Sequence, residues 1–354
     1  MKPNISIKSK IPVGILGATG SVGQKFIELL AEHPWFQIAT VAASDRSAGK
    51  SYREAAHWFM PKPLPPRVAA MTVRTCEPDL PCRIVFSGLD ASVAGEIETN
   101  FAKAGYIVIS NSRNHRSDPD VPILVPEVNA EHLAIINTQP YGQGAIITNP
   151  NCAATGLVVA LKPLLGKFGL KAVSVVTMQA ISGAGYPGVA SLDIVDNIIP
   201  YIGNEEGKLE SEPQKILGTY QDGHIKPAQF KISAACNRVA VTDGHTECVA
   251  VKLNHKPAAE EIITAWREFQ GEPQRLKLPS APIFPIVYCE ENDAPQPKLH
   301  RLLGNGMTVT LGRLRACPIL DYKFVLLSHN TIRGAAGGAV LNAELFIAGG
   351  GLDT

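Results

Sequence analysis

The sequence predicts an α/β protein in two parts: a doubly wound parallel-sheet domain, then an α+β domain with a mixed sheet. Three observations point there. Short apolar runs alternate with helical spacing through the amino-terminal part. A glycine-rich turn separates the first strand from the first helix. Beyond Cys152 the strands lengthen, alternate partly and have few helices between them, as in a sheet with one covered face. A chain of 354 residues, 45% hydrophobic and 18% charged, is long for one core. The expected division is 1–151 for the first domain, rejoined by a helix over about 331–354, and 152–330 for the second.

The elements follow in order. "IPVGILGATGSVGQKFIELL" reads as a strand over Ile11 to Leu16, a tight turn, and a helix over Ser21 to Glu32. "FQIATVAAS" is a second buried strand. "SYREAAHWFMPKPLPPRVAA" is proline-rich and reads as a surface excursion. "RIVFSGL" is a strand, with a helix over Ala91 to Ala104 behind it. "YIVIS" and "AIITN" are further strands. A helix of about four turns from Ala153 to Phe168 leads into the long strand "LKAVSVVTMQA". "FKISAACN", "ECVAVKL", "MTVTLGRLRA" and "YKFVLLSH" supply the rest of the second sheet. "GNEEGKLESEPQK" reads most simply as an exposed helix. "NTIRGAAGGAVLNAELFIA" closes the chain as a helix with small residues on one face.

Composition excludes several classes. A net charge of +1 gives no basic surface for nucleic acid or anionic membranes. No apolar run reaches membrane-spanning length, and the polar start "MKPNISIKSK" lacks the apolar stretch of a secretory signal. The seven cysteines are an odd number with no CxxC pair. That argues against a disulfide framework or a zinc site and for a reducing, cytoplasmic setting.

The chemistry-bearing motifs begin with "GATGSVG", a GxxGxxG turn between strand and helix. Gly17, Gly20 and Gly23, with Thr19, Ser21 and Val22, form the expected cradle for a dinucleotide pyrophosphate at a helix amino end. The first domain is therefore Rossmann-like. In "SDRSAGK" at the end of the second strand, Arg46 with Ser44 and Ser47 suits a 2′-phosphate, whereas Asp45 would suit a ribose hydroxyl. The segment favours NADP over NAD. Cys152, in "IITNPNCAATG", sits at a helix amino end, where backbone N–H groups and the macrodipole favour a thiolate and would serve an oxyanion. A buried small residue is the alternative. A nucleophile needs an acid/base partner. His245 follows the Asp243-Gly244 turn at an expected sheet edge, with Arg238 seven residues earlier. A pKa near neutrality would suit its task. Arg113, in "SNSRNHRSDPDVP", is a candidate anion site at the carboxyl end of a strand; His115 and Arg116 share that loop.

Taken together, "GILGATGSVGQ", "DPDVPILVPEVN", "TNPNCAATGL", "MQAISGAGYPGVASLDIVDNIIPYIGNEE", "CNRVAVTDGHTE" and "NTIRGAAGG" resemble the aspartate-β-semialdehyde dehydrogenase family, closest to its archaeal and fungal branch. The resemblance implies NADP-dependent conversion of L-aspartyl 4-phosphate to the semialdehyde through a cysteine thioester. That step belongs to biosynthesis of lysine, threonine, methionine and isoleucine. It implies Cys152 as nucleophile beside Asn151, His245 as acid/base, Gln179 as orienting residue and Arg238 as carboxylate clamp. Glu205 matches the residue for the substrate ammonium, with Glu206 one register away. Arg113 and Lys208 match the phosphate site. Asn330 and Gly337 resemble positions near the nicotinamide, and Ser182 and Gly183 join the expected cofactor contacts. A homodimer or homotetramer is implied. One departure stands out: Ala153 and Ala154 replace the Ser-Thr pair usual after the cysteine in that branch. The rival readings are a malonyl-CoA reductase on the same scaffold and a non-catalytic NADP-binding protein.

Overall fold

A computed structural model describes residues 9–352. Five strands form the first sheet: β1 (Ile11–Leu16), β2 (Phe36–Ala42), β3 (Ile84–Ser87), β4 (Ile107–Ser110) and β5 (Ala145–Thr148). All pair in parallel, in the order β2-β1-β3-β4-β5. Every residue of β3, β4 and β5 is buried. Continuous apolar strands of this kind need a helical layer on each face. Helices α1 (Ser21–Leu30) and α2 (Ala91–Lys103) supply part of that cover.

The second sheet has six strands. They are β6 (Leu170–Gln179), β9 (Lys231–Arg238), β10 (His245–Leu253), β11 (Ile286–Cys289), β12 (Val309–Ala316) and β13 (Tyr322–Ser328). A hairpin, β7 (Thr219–Gln221) and β8 (His224–Lys226), lies apart. The order is β11-β12-β13-β10-β6-β9, with β10 antiparallel to both neighbours and β9 parallel to β6. Residues of β10 alternate, with His245, Glu247, Val249 and Val251 inward and Cys248 outward. The inward face packs on α3 (Cys152–Phe168), α4 (Glu205–Ile216) and α5 (Ala259–Arg267) in one core. The outward face stays open; Val176 on β6 is 41% exposed.

Helix α6 (Gly337–Ala348) returns to the first sheet, where Leu341 and Phe346 share a core with Ile15 and Phe86. The sequence suggests one continuous helix here. Instead, a π-helical turn, Ile332–Ala336, precedes α6. Arg333 in that turn makes a bidentate ion pair with Glu127, at 2.8 and 2.6 Å, and both side chains are buried. The pair anchors the turn to the chain segment before β5. A second expectation is corrected at α4. Its sequence reads as exposed, yet Glu205, Leu209, Glu212 and Ile216 form a buried face. Their spacing of three and four residues places them on one stripe, and the polar members have partners in the site.

Breaking the Arg333–Glu127 pair from one side strands a buried charge. Arg333→Ala should lose about 3–5 kcal/mol of stability, read as a lower urea midpoint at unchanged slope.

Candidate active site

The turn after β1 is shaped by glycine. Gly17 has φ +69, and a Cβ there would lie 2.7 Å from the Gly88 carbonyl oxygen; one on Gly23 would lie 2.3 Å from that of Gly17. Gly20 caps α1 without a side chain, and the first turn carries no acidic residue. Backbone donors at this helix end therefore face outward beside Thr19, Ser21 and Val22, as a pyrophosphate requires. Ser44, Asp45 and Arg46 are exposed, with Ser47 half-buried, where β2 ends. Asn330 donates to Ser182 Oγ (2.8 Å) and accepts from Gly244 N–H (2.9 Å), which ties two loops together. Gly183 lies against Arg238 and His245. Gly337 is buried at the start of α6. Its N–H donates to the Ile332 carbonyl, and its Cα face packs on Met307 and Ile332. The glycine of this segment at the nucleophile is Gly334, where a Cβ would come within 2.7 Å of Cys152 Cβ.

Cys152 is the first residue of α3, and Asn151 is its cap. Asn151 Oδ1 accepts from the N–H groups of Ala153 (2.9 Å) and Ala154 (3.2 Å). The expectation that these amides are free for an oxyanion is thus corrected: the cap has already taken them. Ala153 and Ala154 are themselves completely buried. Asn151 also donates through Nδ2 to Glu205 Oε1 (2.7 Å) and through its backbone N–H to Glu212 Oε2 (2.6 Å).

The carboxyl ends of β6 and β9 meet the start of β10. Arg238 pairs with Gln179, and Thr246 pairs with Met178, which sets His245 at the Gln179 end of β6. His245 is fully buried at the first position of β10, a strand interior to the sheet between β13 and β6, where it pairs with Ser328, the last residue of β13. Its Nε2 lies 3.2 Å from Cys152 Sγ, and its Nδ1 accepts from the Ala180 N–H at 3.0 Å. Arg238 Nη1 donates to the Ala180 carbonyl at 2.7 Å. Gln179 Nε2 donates to Glu205 Oε1 (3.2 Å) and Thr177 Oγ1 (3.3 Å).

Glu205, not Glu206, belongs to this cluster. Glu206 turns to the backbone N–H of Cys236. Lys208 donates to Glu205 Oε2 at 2.9 Å. Burial opposes ionisation of Glu205, but Lys208 and the hydrogen bonds from Asn151, Lys208 and Gln179 together hold its carboxyl below the usual range.

Two groups titrate differently from the sequence expectation. Burial, followed by the charge of Glu205, pushes the Cys152 thiol up to about 12. These outweigh the helix end and the charges of Arg116, Arg238 and Lys208. Burial and Arg238 push His245 down to about 3. At rest the pair is a thiol beside a neutral imidazole, not an ion pair. Behind them on β10, Glu247 is fully buried, and burial raises its carboxyl well above the usual range.

The phosphate arginine also needs correction. Arg113 is exposed and acts on Asp90, outside the cluster. Of the two arginines in this loop, Arg116 is the one whose charge reaches Cys152; it donates to Glu212 Oε1 at 2.9 Å. Sequence reasoning also missed Glu212 and Ala180. Glu212 was detectable, since it falls seven residues after Glu205 on the face shared with Lys208. Ala180 was not, because it acts through its backbone. Among the described residues no group of three or more His, Cys, Asp or Glu side chains could hold a metal.

A cysteine–histidine pair between a nucleotide-type sheet and a mixed-sheet domain is the arrangement of the semialdehyde dehydrogenases. Residues 12–136 match the family model "Semialdehyde dehydrogenase, NAD binding domain", and 161–333 match "Semialdehyde dehydrogenase, dimerisation domain". An aspartate-semialdehyde dehydrogenase from Trichophyton rubrum is 49% identical, covering 95% of this chain and 97% of its own. One from Archaeoglobus fulgidus is 47% identical over the same shares. The crystal structure of the Candida albicans aspartate-semialdehyde dehydrogenase with NADP superposes with a TM-score of 0.90 at 44% identity, covering 97% of this chain and all of that one. The chain belongs to the aspartate-semialdehyde dehydrogenase family.

A thiol with so high a pKa should alkylate slowly near neutrality. Iodoacetamide labelling of Cys152, followed by mass spectrometry, should keep rising beyond about pH 9, with no plateau near pH 7. Glu205→Gln removes the nearest negative charge and should speed labelling at every pH.

Proposed function

We propose that this protein reduces L-aspartyl 4-phosphate to L-aspartate 4-semialdehyde with NADPH, and catalyses the reverse oxidation with phosphate. The observation that carries this reading is the Cys152–His245 contact at 3.2 Å, ringed by Gln179, Arg238 and the Glu205–Lys208 pair. NADP, when bound, supplies the hydride acceptor or donor. The turn from Gly17 to Gly23 would hold its pyrophosphate, and Ser44, Arg46 and Ser47 its 2′-phosphate. Ser182, Gly183 and Asn330 line the approach to Cys152.

The chain's own groups divide the remaining work. The Cys152 sulfur attacks the aldehyde or acyl carbon, so one hard displacement becomes two easier ones through a thioester. Arg238 sits beside the sulfur with a fixed guanidinium fork, suited to the substrate carboxylate. Glu205 is an ionised carboxylate in a buried setting and suits the substrate ammonium. Gln179 is completely enclosed and holds its amide toward Glu205, which orients the substrate between them. Arg116 and Lys208 offer positive charge for the phosphate, with Lys208 exchanging its present ion pair for the ligand. The ammonium and phosphate partners favour the amino-acid substrate over malonyl-CoA.

The open face of the second sheet is the proposed dimer surface, since Val176 and Cys248 are exposed in mid-strand there. The amino-terminal sheet with α6 acts as the cofactor domain and the second sheet as the catalytic one. All seven cysteines are free thiols, which suits a reducing cytoplasmic setting.

Phosphate-dependent reduction of NADP by aspartate semialdehyde should be observed, and NAD and malonyl-CoA should be poorer substrates by at least about tenfold. Turnover with malonyl-CoA matching that with aspartyl phosphate would refute the assignment. Cys152→Ala should abolish turnover while fluorescence still reports NADPH binding. Val176→Glu should shift sedimentation from dimer to monomer.

A further inference from the structure

We propose that Lys215 is a positioning residue of the phosphate site: its ammonium clamps residues 116–121 to α4 and so sets the Arg116 guanidinium in place. This rests on the function proposed above, in which Arg116 meets the phosphate.

The argument begins with the loop. Residues 111–122, between β4 and the run toward β5, form neither helix nor strand. Such a stretch does not hold a side chain in a site by its own hydrogen bonding. Lys215 supplies what the loop lacks. Its Nζ donates to the carbonyls of Arg116 (2.8 Å), Asp118 (2.7 Å) and Val121 (2.8 Å). An ammonium has three donors and no acceptor, so all three are spent. Lys215 has nothing left to offer a ligand and acts through the backbone it holds.

Arg116 is gripped twice by the same helix. Glu212 accepts from its Nη1 at 2.9 Å, and Lys215 holds its carbonyl. Residues three apart share one face of a helix, so α4 fixes the side chain and the backbone of one residue together. Nη2 donates to the Asn111 carbonyl at 3.0 Å, which closes the loop on itself. Arg116 Nε is buried with no partner, so one donor of the guanidinium remains for an anion. Arg113 gives the contrast. It lies ahead of the clamped residues in the same loop and is exposed.

The charge state suits the task. Burial pushes Lys215 down to about 8, against Asp118, Asp120 and Glu212, which raise it. Near pH 7 the ammonium therefore still carries its three protons. Neither methionine nor arginine replaces it. Methionine leaves three carbonyls without their donor. A guanidinium fork is planar and cannot meet three acceptors gathered around one nitrogen.

The test uses three variants of the full-length enzyme: Lys215→Met, Arg116→Met and the two combined. Affinity for inorganic phosphate, read by calorimetry without turnover, should fall about tenfold in K215M, with NADPH binding by fluorescence within about twofold of wild type. R116M should lose at least as much phosphate affinity. Adding K215M to it should then change phosphate affinity by less than about twofold, because the clamp would have no guanidinium left to place. Unchanged phosphate affinity in K215M, equal losses for phosphate and NADPH, or full additivity in the double variant would overturn the proposal. If K215M failed to fold, Lys215→Arg keeps the charge without the three-way grip, and unchanged phosphate affinity there would overturn it equally. Hydrogen exchange read by mass spectrometry should quicken over residues 113–121 in the Lys215 variant; unchanged exchange would also refute the clamp. Exchange needs no ligand, so it decides the clamp even if wild-type enzyme bound no phosphate, a failure that would count against the proposed function alone.

Discussion

Asn151 is the constraint on which the site depends. It is one residue with three separate tasks. Its side-chain oxygen caps α3, its amide nitrogen holds Glu205, and its backbone N–H is held by Glu212. A cap of this kind is worth about 1 kcal/mol to a helix. Its larger effect here is geometric. It sets where α3 starts, and therefore where Cys152 points. Glu212 in turn binds Arg116, so the loop after β4, the start of α3 and one face of α4 are joined by a single chain of charged and amide groups.

Ala180 plays the matching part on the sheet side. Its N–H fixes the His245 ring and its carbonyl fixes the Arg238 guanidinium. Both bonds use backbone groups of Ala180, the residue directly after β6, so the two side chains take their positions from where that strand ends. The π-helical turn closes the cluster from a third side. Gly334 packs on Cys152, and Asn149 donates to the Ala335 carbonyl at 2.7 Å. The buried Arg333–Glu127 pair keeps that turn in place. Rigid backbone, more than side-chain contact between catalytic groups, sets the geometry. That is how a site holds reacting atoms to within a fraction of an ångström.

The electrostatics are less activated at rest than a cysteine at a helix end suggests. Capping by Asn151 takes the Ala153 and Ala154 amides. Burial and Glu205 then outweigh the three cations nearby. The ionised Glu205 carboxylate acts on the sulfur that must become an anion. With Glu205 ionised and uncompensated by substrate, the thiol is held protonated. In the function proposed above, the substrate ammonium would neutralise that carboxylate and remove the main charge opposing the thiolate.

Local pattern carried much of this protein. The strands of the first sheet, the glycine turn, α1 and the position of Cys152 at a helix start were all legible, because apolar periodicity and backbone-permissive residues act over a few neighbours. Cys152, Arg238 and His245 are legible from their local motifs, Gln179 and Glu205 only from the family resemblance, and all five converge. Three things needed the tertiary structure. Which arginine reaches the sulfur, Arg116 or Arg113, depends on how one loop turns, and both lie in the same short segment. The buried face of α4 reads as solvent-exposed until its carboxylates find their partners on other elements. The protonation states of Cys152 and His245 depend on burial and on a backbone donor at Ala180, neither of which has a side-chain signature. Sequence by itself determined which chemical groups are available and which elements carry them. Only the tertiary structure decided which groups touch and what charge they hold, because both follow from desolvation and distance between segments far apart in the chain.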